Sequence, residues 1–269
     1  MKQFVRKNGF PLFLSCLFLF VLIQSCKKDF SAEDIPIPPV PPVVKDHNLV
    51  LKFKGMVDTN ELEFGKSYTN FFRQAYSVKT FKFYIHGIEM INTDSNRVFK
   101  ISADKYFLID FSDSATTSIK LSILPYQYNR ISFVLGIDSA RNVSGAQTGA
   151  LDPAKGMFWT WNTGYIMAKL EGNAASAPSG TFEYHIGGFR ENENVIKKPI
   201  LLFPFGDKLD LKPEKTSEII IAANVNSWFY NPHDLKFNLN PTCTTPGTLA
   251  KQIAENYAKM FTVVSVKNE

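Results

Sequence analysis

The chain has 269 residues, a formal charge of +5, 45% hydrophobic residues and 14% aromatics, which excludes wholesale disorder. The first 25 residues hold Lys2, Arg6 and Lys7 and no acid, so without them the surplus falls to +2. A nucleic-acid partner then loses its footing, because phosphate binding needs a concentrated basic surplus.

Lys2, Arg6 and Lys7 form a positive start, and Phe10 to Ile23 is an apolar run. That run is short of the roughly 20 residues a membrane span needs, so residues 1–25 read as a signal peptide. Leu22-Ile23-Gln24-Ser25-Cys26 resembles a bacterial lipobox, which implies cleavage before Cys26 and lipidation of that cysteine. No Asp follows Cys26 directly, and the expectation is an outer-membrane lipoprotein facing the periplasm or the cell surface. The membrane is thus a partner through the lipid anchor. An ordinary secretory signal is the alternative. Residues 26–47 form the lipidated end and a tether, with five prolines between Ile35 and Val44. Such a stretch favours extended polyproline II and stands a domain off a surface.

Residues 48–269 are expected to form one domain. Leu49, Leu51 and Phe53 alternate with polar or outward partners, as do Phe81, Phe83 and Ile85, then Ile119, Leu121 and Ile123, then Ile131, Phe133 and Leu135. Further strands are expected at 106–111, 158–170, 181–186, 200–203, 218–225 and 235–239, separated by turn residues. About ten short strands predict an all-β, antiparallel, immunoglobulin-like sandwich. Residues 138–156 read as a long polar loop. Leu249, Ile253, Tyr257 and Met260/Phe261 recur at helical steps, which predicts one C-terminal helix over 248–261. Cys16 leaves with the signal and Cys26 is taken by lipid, so Cys243 stands alone and no intrachain disulfide is expected.

Catalytic signatures are absent: no G-x-S-x-G, no phosphate-binding loop, no H-E-x-x-H and no C-x-x-C. The expectation is a protein that is not an enzyme. Asp138, Ser139 and Asn142 are suited to cap and brace the long loop, with Arg141 as a fork donor.

The densest constellation is Gly136-Ile-Asp-Ser-Ala-Arg-Asn142, Leu151-Asp-Pro153, Gly156-Met-Phe-Trp-Thr-Trp161, Gly164-Tyr-Ile166 and Lys169-Leu-Glu-Gly172. Together with Phe182-Glu-Tyr-His-Ile-Gly-Gly188 and the terminal Ile253–Phe261 segment, it resembles the MbnP-like family of methanobactin-associated periplasmic copper-binding proteins. The resemblance spans residues 48–265 and implies a secreted β-sandwich. It further implies Cu(I) held by histidines beside an oxidised tryptophan, with a di-haem peroxidase-like partner that modifies that residue. Trp159 matches the modified position. The copper-binding relatives have a His two residues on, whereas here Trp161 stands there and offers no lone pair to a metal.

On a strand, positions 159 and 161 share a face, so the bland reading of both indoles is aromatic packing in the core. The candidate ligands are His185, His233, His86 and Cys243, since imidazole and thiolate both suit copper. Each has a plain alternative. His185 faces opposite to Tyr184 and Ile186 and can serve neighbouring backbone. His86 sits among strand residues, and His233 lies in a turn where Asp234 can orient it. Cys243, just before the helix, is either a soft ligand with a lowered pKa or a buried inert thiol. The rival function is a metal-free binding or scaffolding module for a cell-envelope protein or glycan.

Overall fold

A computed structural model of the chain describes residues 47–162 and 164–269. The expected signal peptide, Cys26 and nearly all of the tether lie outside these residues. Among the described residues, no helix is long and apolar enough to cross a membrane.

In chain order the main elements are β1 (Leu49–Val57), β2 (Ala75–Asn92), β3 (Phe107–Asp110), β4 (Ser118–Leu121) and β5 (Arg130–Leu135). There follow α1 (Ser139–Val143), β6 (Ala168–Ala174), β7 (Thr181–Ile186), β8 (Ile200–Leu202), β9 (Ser217–Asn224), α2 (Thr248–Tyr257) and β10 (Phe261–Lys267). One sheet runs β10-β9-β1, with β4 on the other flank of β1. The second runs β8-β5-β2-β6-β7 and ends on a two-residue strand, Thr242–Cys243. The all-β sandwich with a C-terminal helix is as expected. Two pairings are parallel, however: β1 with β9, from Leu49↔Ser217 to Met56↔Asn224, and β7 with Thr242–Cys243.

The alternation read from the sequence is what closes the core. On β1, Leu49, Leu51 and Phe53 are buried while Lys52 and Lys54 are exposed. Phe53 meets Phe83 and Phe133 edge-on at 6.0 Å, and Phe261 at 6.4 Å, so rings of both sheets lock at one point. Such edge-to-face pairs add about 1 kcal/mol each beyond their area. β2 is the spine of the second sheet. It pairs with β6 along its first half and β5 along its second, and with β3 on its other edge.

Three expectations are corrected. Residues 235–239 are not a strand: Leu235 and Phe237 are buried from a turn, which mimics strand alternation. The helix stops at Tyr257, and Phe261 opens β10 instead; both segments bury every third to fourth or every second residue, and the two periods run together there. The expected strand 158–170 is broken into a two-strand hairpin, Phe158–Trp159 with Gly164–Tyr165, and then β6. Helix α2 is fixed by the fully buried Asn256. Its amide donates to the carbonyls of Trp228 (3.1 Å) and His233 (2.8 Å) and accepts from the His233 N–H at 2.9 Å.

Candidate functional site

On β2 the rings of Phe81 and Phe83 and the side chain of Ile85 join the main core, whereas Tyr84 belongs to a second, smaller one. Leu108, Ile137, Leu151, Met157, Trp159, Tyr165 and Ile166 gather around it. The stretch 136–167, expected as a long loop and a strand, is thus a satellite core laid on the sheet. Gly136, at φ +119°, takes the chain out of β5. The Asp138 carboxylate caps α1 by accepting from the Arg141 N–H at 3.0 Å, and the Arg141 guanidinium reaches Asp104 (3.0 Å) and Gln147 (3.2 Å). Asn142 is buried; its amide donates to Ile137 O (2.8 Å) and its oxygen accepts from the Tyr165 N–H (3.0 Å). The Tyr165 hydroxyl donates to Leu151 O at 2.8 Å, and the Tyr84 hydroxyl to Ala150 O at 3.1 Å. The bracing expected of Asp138, Arg141 and Asn142 is therefore present. The buried polar groups that brace this loop, Asn142 and the hydroxyls of Tyr84 and Tyr165, all have partners, as a stable core requires.

Trp159 differs from these, and shares its state with both ring nitrogens of His86, the Trp228 indole N–H and the hydroxyls of Ser217 and Tyr257. Its side chain is 5% exposed, and its indole N–H has no hydrogen-bond partner. The six-membered ring lies flush on Gly187, where a Cβ would fall 2.4 Å from Cη2 and 2.8 Å from the Tyr165 carbonyl oxygen. A cleft of about 210 Å³ opens beside Trp159, with Asn162, Arg190 and Glu193 on its walls. Trp161 does not join the core. It is 61% exposed, with its ring 5.7 Å from that of Trp159 and tilted by 47°. The hairpin turn takes it off the strand, which the period-two reading did not anticipate. Lys169 clamps the base of the hairpin by donating to Gly156 O at 2.6 Å.

The proposed ligands lie apart. His185 pairs across the strands with Lys169, and its Nε2 meets the Glu171 carboxylate at 2.6 Å. That hydrogen bond, chiefly, holds the Glu171 carboxyl down to about 2. His86 is buried and lies 4.7 Å from the Tyr106 ring, whose hydroxyl bonds to Asp138. Burial holds the His86 imidazole below its ordinary range. The register places His86 four residues and two strands from His185, about 16 Å by strand spacings. His233 bonds through Nε2 to Glu255 of α2 at 2.7 Å, so its orienting carboxylate is Glu255 and not Asp234. Cys243 is buried, and burial pushes its thiol up to about 11, the reverse of the lowering expected from a helix N-terminus. Among the described residues, no three His, Cys, Asp or Glu side chains converge as a metal-holding group.

Sequence reasoning missed Glu171, Glu255 and Arg190, which pair with or line the site through tertiary contact alone. It also missed Gly187, whose only sequence signal is the Gly187-Gly188 pair closing β7.

The family model MbnP matches residues 46–245. Among solved structures, MbnP from Methylosinus trichosporium is similar, with a TM-score of 0.46 at 15% identity, covering 74% of this chain and 82% of that chain. No curated protein matches.

Proposed function

The chain belongs to the MbnP family, and on that premise we propose a membrane-tethered, extracytoplasmic protein with a copper-linked role whose working part is the hairpin carrying Trp159 and Trp161. The observation that carries this reading is the Trp159 indole: buried, unpaired at its N–H, and set in the wall of a cleft. Leaving a buried donor unpaired costs about 1–3 kcal/mol, and unlike the unpartnered groups of His86, Ser217, Trp228 and Tyr257 this indole lines the cleft beside the hairpin. The matched region contains the whole hairpin and the loop that braces it.

The copper link rests on the family. The chain's own donors do not fit a closed copper centre: His185 and His86 lie about 16 Å apart by strand register, no three donors converge among the described residues, and burial pushes the Cys243 thiol up to about 11. No coordination step is therefore assigned to them. The residues around Trp159 hold its indole in a fixed place. Gly187 clears its seat, Asn142 and Tyr165 fix the hairpin, and Lys169 ties the hairpin to the sheet. In this reading Trp159 is the residue open to oxidative modification, and the exposed Trp161 is the face offered to a haem-protein partner. The scattered imidazoles favour a second reading, a metal-free module that docks an envelope protein or glycan through Trp161 and the cleft.

Metal analysis and peptide mass mapping of the protein purified from its native host decide between them. Stoichiometric copper, or a mass shift on the peptide containing Trp159, supports the first reading. No copper together with an unshifted peptide overturns it and leaves the second.

A further inference from the structure

Strand β6 has Trp159 near its start, and a different cleft lies beyond its end. There Ala174 pairs with Tyr76, and the Tyr76 hydroxyl donates to Asn226 Oδ1 at 2.7 Å. This second cleft, of about 380 Å³, forms where β1 and β9 finish and β10 begins. By the rise of a strand it is about 20 Å from the first.

One wall is an aromatic shelf. Phe71 is 64% exposed and Tyr230 40% exposed, and their rings stack at 4.0 Å and 13°. Phe72 crosses both edge-on, at 5.6 and 6.1 Å, and Lys236 sits 5.0 Å over the Phe72 ring. The shelf is therefore held in place, not left to sample rotamers. The other wall is polar. Asn226 has one fixed orientation, because its oxygen is taken by Tyr76; its amide then donates to Asp58 Oδ2 at 2.8 Å. A carboxylate oxygen accepts more than one hydrogen bond, so Asp58 keeps acceptor capacity toward the cleft. Lys259 donates to Asn231 Oδ1 at 3.1 Å, which leaves the Asn231 amide and further ammonium protons as donors.

A flat apolar face beside an acceptor and two donors matches a pyranose ring. Its C–H face packs on an aromatic ring, and each hydroxyl both donates and accepts. Asp58 and Lys259 carry opposite charges, so the polar wall has no surplus to attract a phosphate or a carboxylate. We propose that this cleft binds a neutral hexopyranose saccharide, its C–H face on Phe71 and its hydroxyls on Asp58, Asn231 and Lys259. The site is independent of the Trp159 reading.

The test is ligand-detected saturation-transfer NMR, with titration of the aromatic resonances, on the mature domain. The probes are methyl glucoside, methyl galactoside, methyl mannoside, maltose and cellobiose, each raised to about 50 mM, since a small site of this kind gives millimolar binding. At least one sugar should saturate, shift the Phe71 and Tyr230 ring signals, and bind about tenfold more weakly to Phe71→Ala. Asp58→Asn keeps the shape and the backbone angle, which Asn tolerates, and should weaken binding similarly. Trp161→Ala should bind as the parent does. No saturable binding by any of the five sugars, or unchanged binding by Phe71→Ala, overturns the proposal.

Discussion

Replacing Gly187 by alanine tests whether the Trp159 seat is built as described. The added Cβ would meet Trp159 Cη2 at 2.4 Å, Cζ3 at 2.7 Å and the Tyr165 carbonyl oxygen at 2.8 Å. Real Cβ atoms do not approach this closely, so ring or backbone must move. The ring belongs to the satellite core with Leu151, Met157 and Tyr165, and the Tyr165 backbone is held by Asn142. Overpacking of this kind costs about 1–3 kcal/mol. The upper half of that range applies, because two independent groups are struck. For a domain of this size that is about 5–10 °C in Tm. Trp159→Phe alone removes the outer ring atoms and costs about 1–2 kcal/mol in lost packing. It also removes the collision with the ring, leaving that with the Tyr165 carbonyl, so the double variant should be less destabilised than the two singles together by about 1 kcal/mol. Urea denaturation followed by far-UV circular dichroism reads all four proteins. Additivity within about 0.5 kcal/mol would mean that residue 187 and the indole do not touch, and the account of the site would fail.

Three further outcomes follow from side chains already placed. The Glu171 carboxyl is held at about 2 against an ordinary 4.5, so it stabilises the fold above pH 4.5 and the contribution fades as pH falls toward 2. Glu171→Gln should therefore cost about 1–3 kcal/mol at pH 7, and its stability curve should meet the parent's near pH 2; parallel curves would refute the His185 pairing. Cys243, with its thiol at about 11, should react with iodoacetamide at pH 8 at least about tenfold more slowly in the folded protein than in urea, as mass spectrometry would show. Tyr184→Phe loses a 2.7 Å hydrogen bond to Asn240 O and should cost about 1 kcal/mol, whereas Tyr257→Phe removes a buried hydroxyl with no partner and should be neutral or stabilising; calorimetry giving the reverse order would contradict the hydrogen-bond assignment.

The strands that were legible in the sequence are those with one face on the core. Leu49, Leu51 and Phe53, or Ile119, Leu121 and Ile123, repeat at the period of the sheet because the opposite face meets water. Legibility failed where that contrast vanished. Tyr84 and His86 are buried on the outer face of β2, under the satellite core and Tyr106, so the strand reads apolar on both sides. The hairpin at Trp159 departs from period two because its residues answer to Asn142 and Gly187, which are distant in sequence. The resemblance in residues 136–172 marks a segment that folds as the satellite core, with Trp159 in it. It could not place the imidazoles, because the partner of each, Glu171 for His185 and Glu255 for His233, is set by strand register and helix docking. The Cys243 thiol fared likewise: proximity to a helix start is visible in sequence, while the burial that outweighs it is not.

The parallel register of β1 against β9 bears on how the domain carries load. The described chain enters at residue 47 and runs directly into β1, which is laddered along eight residues to β9 on one flank and to β4 on the other. Tension applied along the axis of β1 falls across all of those rungs together. Rungs loaded in that direction share the strain and must fail together, where a peeled strand would release them singly. A domain suspended by its N-terminus in a moving envelope would then yield last at the point where it is held.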